Sequence, residues 1–424
     1  MIIHTVQSGE TVNSIAENYN ITISRLIEYN GLLAPYTLAV GQSLVILYPK
    51  TVHTVVEGDS LFSIAQQYNT SVRQLYRNNA SLKGRPQIYE GQSIIIDFTD
   101  TPTREVVINA YAYPFIEQRL LEGTLYYLTN LLPFTYGFTP QGELVDLDDE
   151  QLISSAQYYG TSSFMHISTL TQEGNFSSAL AEQLLNDEAA QQRLIENIYQ
   201  NMRNKGYTGL DIDFEFIPAQ LRENYIEFVR KATQYLNNYG YDVIVALAPK
   251  TSSAQRGLLY EAHDYAGLSE AANYVFLMTY EWGYTYSEPM AVAPIENVRA
   301  VVEYALTQMP PEKIILGLPN YGYDWPLPYV KGQTKAVSIS TSQAYDIAVK
   351  YRAEILYDEV SQAPHFVYTN ENNQVHEIWF DDAKSISEKL SLIEEYSLYG
   401  GGYWSLMKRF PSNWSVLNAM YIVR

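Results

Sequence analysis

From about residue 104 onward, short apolar runs rich in β-branched and aromatic residues alternate with longer segments whose apolar positions recur at helical spacing. The runs are Val106–Ala112, Leu131–Phe138, Ser163–Ile167, Leu210–Ile217, Val243–Pro249, Tyr274–Tyr280, Ile314–Pro319 and Gly401–Leu406. Amphipathic segments such as Ala179–Asn204, Ala219–Asn238 and Ile295–Gln308 lie between them. Eight strand–helix alternations predict an α/β protein built as a (β/α)8 barrel. The gap before the eighth run is wider and contains Lys331–Trp379, which predicts a small α+β insertion between strands 7 and 8.

The first hundred residues carry a different pattern, written twice. His4-Thr5-Val6 returns as His53-Thr54-Val55, Ser14-Ile15-Ala16 as Ser63-Ile64-Ala65, and Gly41-Gln42-Ser43 as Gly91-Gln92-Ser93. In each copy a short β segment meets a Gly-acid turn, Gly9-Glu10 or Gly58-Asp59, followed by Thr11 or Ser60 at a helix N-cap position. Thr22 or Ser71 can cap a second helix, Asn30 or Asn79 can end it, and the later glycine turns into a closing strand. Each copy therefore predicts a βααβ module. The division expected is 1–49, 50–98 and 99–424, with a link over Asp97–Arg104.

Within the fourth run of the barrel, Thr208-Gly209-Leu210-Asp211-Ile212-Asp213-Phe214-Glu215-Phe216 places three acids at two-residue spacing. On a strand they share one face, about 6.6 Å apart along the chain, close enough for their protonation to be coupled. Parallel barrel strands are covered on both faces, so such a row is costly unless chemistry uses it. A solvated strand face and a divalent-metal site are the alternatives; no further ligand cluster accompanies the acids. Glu215 falls near the C-terminal end of its strand, where barrel enzymes place reactive groups.

Composition narrows the partners. The 27 Lys and Arg against 47 Asp and Glu give a net charge of −20, which opposes nucleic acid or an anionic membrane as partner. No run approaches the length of a membrane span, so no membrane insertion is expected. Cysteine is absent, which removes disulfides and thiol chemistry. The six histidines, at positions 4, 53, 166, 263, 365 and 376, lack metal-ligand spacing and read as structural, so neither metal nor cofactor is expected. Thirty-eight tyrosines suit stacking against sugar rings, although many must be core. The chain opens directly on folded-looking sequence, and synthesis without a standard signal peptide is expected.

The repeated module closely resembles the LysM domain, which binds glycans containing N-acetylglucosamine. That resemblance implies a groove including Gly9, Glu10, Thr11 and Leu38–Val40 in the first copy, and Gly58, Asp59, Ser60 and Ile88–Glu90 in the second. The barrel resembles glycoside hydrolase family 18, whose fourth strand reads D-G-x-D-x-D-x-E. Thr208–Glu215 matches all but the first position, where Thr208 replaces Asp and leaves the hydrogen bonding and protonation of Asp211 open. Met278-Thr279-Tyr280-Glu281 resembles the sixth-strand Met-x-Tyr-Asp with Glu for Asp. Gly317–Gly322 resembles G-x-P-x-Y-G, and Gly401–Trp404 resembles the eighth-strand segment that ends in a Trp flooring the sugar.

The family resemblance implies Glu215 as general acid and base, with Asp213 orienting the substrate's 2-acetamido group, which itself attacks the anomeric carbon. Tyr280 would hydrogen-bond that amide and Asp211 would exchange a proton or hydrogen bond with Asp213. Trp404, Met278, Glu281, Tyr321 and Tyr111 are the expected substrate-contacting residues. Two LysM modules on such a barrel resemble the spore cortex-lytic N-acetylglucosaminidases, which implies peptidoglycan as substrate, a spore coat or cortex location and a role in germination. A chitinase or endo-β-N-acetylglucosaminidase shares the same residues. A non-catalytic glycan-binding coat protein is the alternative of another class, opposed by the presence of Glu215, Asp213 and Tyr280. Oligomeric state is not written in the sequence.

Overall fold

Eight parallel strands close on themselves in the computed structural model, which describes residues 1–100, 102–171 and 176–424. They are Glu105–Ala112, Asn130–Pro133, Ser162–Ser168, Gly209–Asp213, Asp242–Leu247, Tyr274–Leu277, Ile314–Pro319 and Gly400–Trp404. Each pairs with its successor, and the eighth returns to the first with Gly400 opposite Val107. The expected (β/α)8 barrel is present. Its strands read as continuous apolar runs because both faces are covered, one by the barrel interior and one by helices. Ile314–Pro319, buried at every position, shows this most plainly.

Several expected boundaries are corrected. The fourth strand ends at Asp213, so Glu215 is off the strand and Phe216, at φ 56°, breaks the alternation. The sixth ends at Leu277, leaving Met278, Tyr280 and Glu281 beyond it. The second stops at Pro133, and Gly137–Phe138 pairs separately with Leu144–Val145. The segment Ala179–Asn204 is two helices, Ser178–Leu185 and Glu188–Lys205, because Asp187 caps the second by accepting from the Ala189 and Ala190 amides.

The insertion begins earlier than expected, at Gly322, since Gly322–Pro326 is an inner strand of its antiparallel sheet. That sheet orders Val337–Ile339, Gly322–Pro326, Val375–Trp379, Ala363–Thr369 and Leu356–Asp358, with helix Thr341–Tyr351 packed on it. Of the expected link, Asp97 lies in the strand Ser93–Phe98 and Thr101 lies outside the described residues.

Both N-terminal modules are βααβ. Thr11 and Ser60 cap Val12–Asn18 and Leu61–Gln67 in reciprocal boxes with Ser14 and Ser63, and Thr22 and Ser71 cap the second helices. Asn79 ends its helix, but Asn30 stays inside Ile23–Asn30 and Gly31 ends it. Asn30 instead clamps the closing strand: its amide donates to the Leu26 and Val45 carbonyls and its oxygen accepts from the Val45 N–H.

The modules are docked on the barrel rather than strung from it. Arg77 donates to the carbonyls of Tyr126 at 2.6 Å and Val423 at 2.8 Å, and Arg73 to those of Tyr126 and Gly160 at 3.1 Å. Tyr29, Val45, Ile95 and Phe98 join the barrel's own apolar core.

Candidate active site

Register places Asp211 opposite His166 on the third strand, and Asp213 opposite Ser168. Asp211 is fully buried and Asp213 is 6% exposed, whereas Glu215, past the strand end, keeps part of its surface open. The acids therefore climb from the barrel interior towards its C-terminal mouth. The Tyr111 hydroxyl, from the first strand, donates to Asp211 Oδ2 at 2.8 Å. His166 Nε2 stands 3.6 Å from the same oxygen and 3.5 Å from Asp213 Oδ2, while Nδ1 meets the Thr135 hydroxyl at 2.6 Å. Thr208, in place of an acid, donates to the Ser163 carbonyl and takes no part in holding Asp211.

Burial pushes Asp211 up to about 7; His166 and the Tyr111 hydrogen bond oppose the rise and the Asp213 charge adds to it. Glu215 is raised well above the ordinary glutamate range, first by burial and then by the charges of Asp213 and Glu281. An acid so raised keeps its proton to higher pH than an ordinary glutamate, which suits a proton donor to a leaving group. Tyr280, 8% exposed, is likewise held neutral by burial and by the carboxylates around it.

The backbone between Asp213 and Glu215 is fixed by His263. Its Nδ1 accepts from the Ala248 N–H at 2.9 Å, so Nε2 carries the proton and donates to the Phe214 carbonyl at 2.9 Å. Burial lowers His263 below the usual imidazole range, which keeps it in that neutral form. Tyr280 lies against Gly317, where a Cβ would come within 2.9 Å of the tyrosine ring and 2.3 Å of the Leu277 carbonyl oxygen. Only glycine lets the seventh strand approach this closely.

Glu281 adopts φ 66°, left-handed and uncommon outside glycine, and accepts from the Tyr321 and Tyr323 hydroxyls. Met278 is hydrogen-bonded through its N–H to Leu247 and packs on the barrel core. Trp404 ends the eighth strand against Phe134 at 4.8 Å between centroids and Tyr111 at 5.5 Å. This aromatic floor continues through Tyr113 to Phe115, whose ring is exposed.

The structure thus gathers Asp211, Asp213, Glu215, Tyr280, Glu281, Tyr321, Tyr111 and Trp404 around one end of the barrel. Gly9, Thr11, Gly58 and Ser60 are far off in sequence on the docked modules, where Thr11 and Ser60 act as caps. Sequence patterns missed His166, His263, Phe134 and Tyr113; the histidines gave no spacing signal because their partners lie on other segments of the barrel, 15 to 49 residues away along the chain. Among the described residues, no group of three or more His, Asp or Glu is arranged to hold a metal ion.

The profile of the glycosyl hydrolases family 18 matches residues 134–408, spanning every member of this constellation except Tyr111. The chain belongs to glycosyl hydrolase family 18. It is a glycoside hydrolase with two LysM domains, whose profile matches residues 4–47 and 53–97. It is 41% identical over 430 residues to the cortical fragment-lytic enzyme of Bacillus subtilis (strain 168), covering 100% of this chain and 99% of the relative. The enzyme of that name from Bacillus anthracis is 37% identical over 419 residues, 97% of this chain and 96% of the relative. The crystal structure of the Bacillus cereus spore cortex-lytic enzyme SleL superposes with TM-score 0.85 at 35% identity, covering 100% of this chain and 98% of that one.

Proposed function

We propose that this family 18 enzyme hydrolyses spore-cortex peptidoglycan, cutting the β-1,4 bond that follows N-acetylglucosamine during germination. The single observation that carries the reading is the graded acidic row, with buried Asp211 and Asp213 beneath a partly open Glu215 whose acid form is favoured by burial and by the neighbouring charges. Likeness to cortex-lytic relatives over the whole length, modules included, supports the substrate. The enzyme acts in the spore, in its coat or cortex layers, and the glycan is its partner.

In the reaction, Glu215 protonates the glycosidic oxygen as the bond to the anomeric carbon breaks. The 2-acetamido oxygen of the same sugar attacks that carbon from the other face and gives an oxazolinium ion. Asp213 orients the amide and carries its developing positive charge, with Asp211 beneath it, and Tyr280 donates to the amide oxygen. Glu215, now a carboxylate, takes a proton from water, which opens the ring with net retention. Trp404 supports the sugar face, and Tyr321 acts through Glu281.

The test is Glu215→Gln on cortex fragments, with reducing ends identified by mass spectrometry. The native chain should release fragments ending in N-acetylglucosamine. The variant should lose turnover by about 100-fold or more while still binding glycan. Fragments ending in muramic acid, or undiminished turnover, sink the reading.

A further inference from the structure

The two LysM copies are not equivalent, and the difference is built at matching positions. Where the first copy has Gln7, Asn13 and Ala39, the second has Val56, Phe62 and Tyr89. These three apolar side chains are 58%, 64% and 72% exposed. Val56 and Tyr89 sit on two turns tied together, since the Val55 N–H donates to the Gln92 carbonyl and the Gly91 N–H to the Val55 carbonyl, and Phe62 stands in the first turn of the helix Leu61–Gln67 that follows. Large apolar groups held in the open on hydrogen-bonded turns mark a binding surface rather than a core.

The corresponding turn of the first copy is closed. Ala39, 4% exposed, belongs to the insertion's apolar core, and the Val40 carbonyl accepts from the Ile355 N–H at 2.9 Å. A Cβ on Gly41 would stand 1.9 Å from the Ile355 carbonyl oxygen, so the turn and the insertion meet backbone to backbone. Leu33 and Tyr36 remain exposed on the preceding connection, but its end is covered. At Gly91 a Cβ would meet nothing within 4 Å.

The second copy's connection also reaches the barrel. Residues 84–87 line one side of a cleft of about 470 Å³, and the helix Glu150–Tyr158 with Tyr159 and Glu122 lines the other. Arg85, Gln87, Glu122 and Ser154 offer donors and acceptors there, beside Tyr158, 71% exposed, and the Tyr159 ring set edge-on at 4.9 Å. An open aromatic face bordered by amide, hydroxyl and charged groups matches a pyranose, with one apolar face and a polar rim. The same connection carries Tyr89 two residues beyond Gln87, so one strand of sugar can lie across both.

We infer that glycan is gripped by the second LysM copy alone, along a track shared with the barrel: Val56, Phe62 and Tyr89 on the module and Tyr158 on the barrel helix. The occupant is a strand of N-acetylated hexosamines, an assignment that rests on the proposed function. The first copy serves as a wedge between barrel and insertion. Arg73 and Arg77 hold the second copy at a fixed angle, so the gripped strand has a defined direction relative to the catalytic mouth.

The experiment measures binding of the full chain carrying Glu215→Gln to insoluble peptidoglycan sacculi, by depletion from solution, with folding followed by thermal melting. Phe62→Ala with Tyr89→Ala should weaken binding by about tenfold and Tyr158→Ala by about threefold, whereas Asn13→Ala with Tyr36→Ala in the first copy should leave it unchanged. Equal loss from the first-copy pair, or none from the second-copy pair, overturns the assignment. Loss from the second-copy pair with none from Tyr158→Ala overturns the shared track. Sacculi that fail to bind the parent overturn the inference, while reducing-end analysis of cortex digests judges the proposed function separately.

Discussion

At the scale of single residues, the proton on Glu215 decides how the rate responds to pH. Its carboxyl is raised, so the acid form needed to protonate the leaving group survives above the ordinary glutamate range and is lost as pH rises through the folded value. The rate should therefore hold above about pH 5 and fall on the alkaline side. A profile already falling below that pH removes the role. Asp211 gives the matching statement for stability. A buried acid raised to about 7 makes the fold prefer its protonated form, so this group lowers stability as pH climbs from about 4 to 7. Asp211→Asn should raise the melting temperature by a few degrees at pH 7.5 and give no gain at pH 4, even as turnover falls.

At the scale of elements, how far the sequence could be read depended on whether partners were near or far along the chain. All eight barrel strands were legible because a strand covered on both faces must be an apolar run, and amphipathic helices separate the runs. Their ends were not. The two-residue spacing continues to Glu215, but pairing with the fifth strand stops at Ile212 and with the third at Asp213. The acids were visible as a row, yet the group that holds Asp211, the Tyr111 hydroxyl, is 100 residues away, and His166 carried no spacing signal of its own. In the modules, caps were legible because they act over three residues, while the asparagine clamps act over about fifteen. Asn79 donates to the Leu75 and Ile95 carbonyls and accepts from the Ile95 N–H, all buried. Asn79→Ala leaves these groups without partners and should cost about 1–3 kcal/mol of module stability. Hydrogen exchange should show protection lost within residues 49–98 and kept in the barrel.

At the scale of the whole molecule, two guanidinium groups fasten the second module. Burial pulls Arg77 down to about 9, and it stays in place by donating to the carbonyls that end neighbouring segments. Arg77→Met keeps the apolar stem and removes those donors. Limited proteolysis should then cut the stretch between the module and the first barrel strand severalfold faster, without a matching rise inside the barrel; an unchanged digestion pattern would show that apolar contact suffices. The wedge formed by the first module has a wider consequence. Its Ala39 completes the insertion's core and its Gly31 carbonyl caps Arg409 beside the helix Pro411–Met420. Trimming that module away bares an oily seam on the catalytic half. A shortened enzyme that clumps or works poorly would therefore report a damaged scaffold, not merely a missing sugar hook.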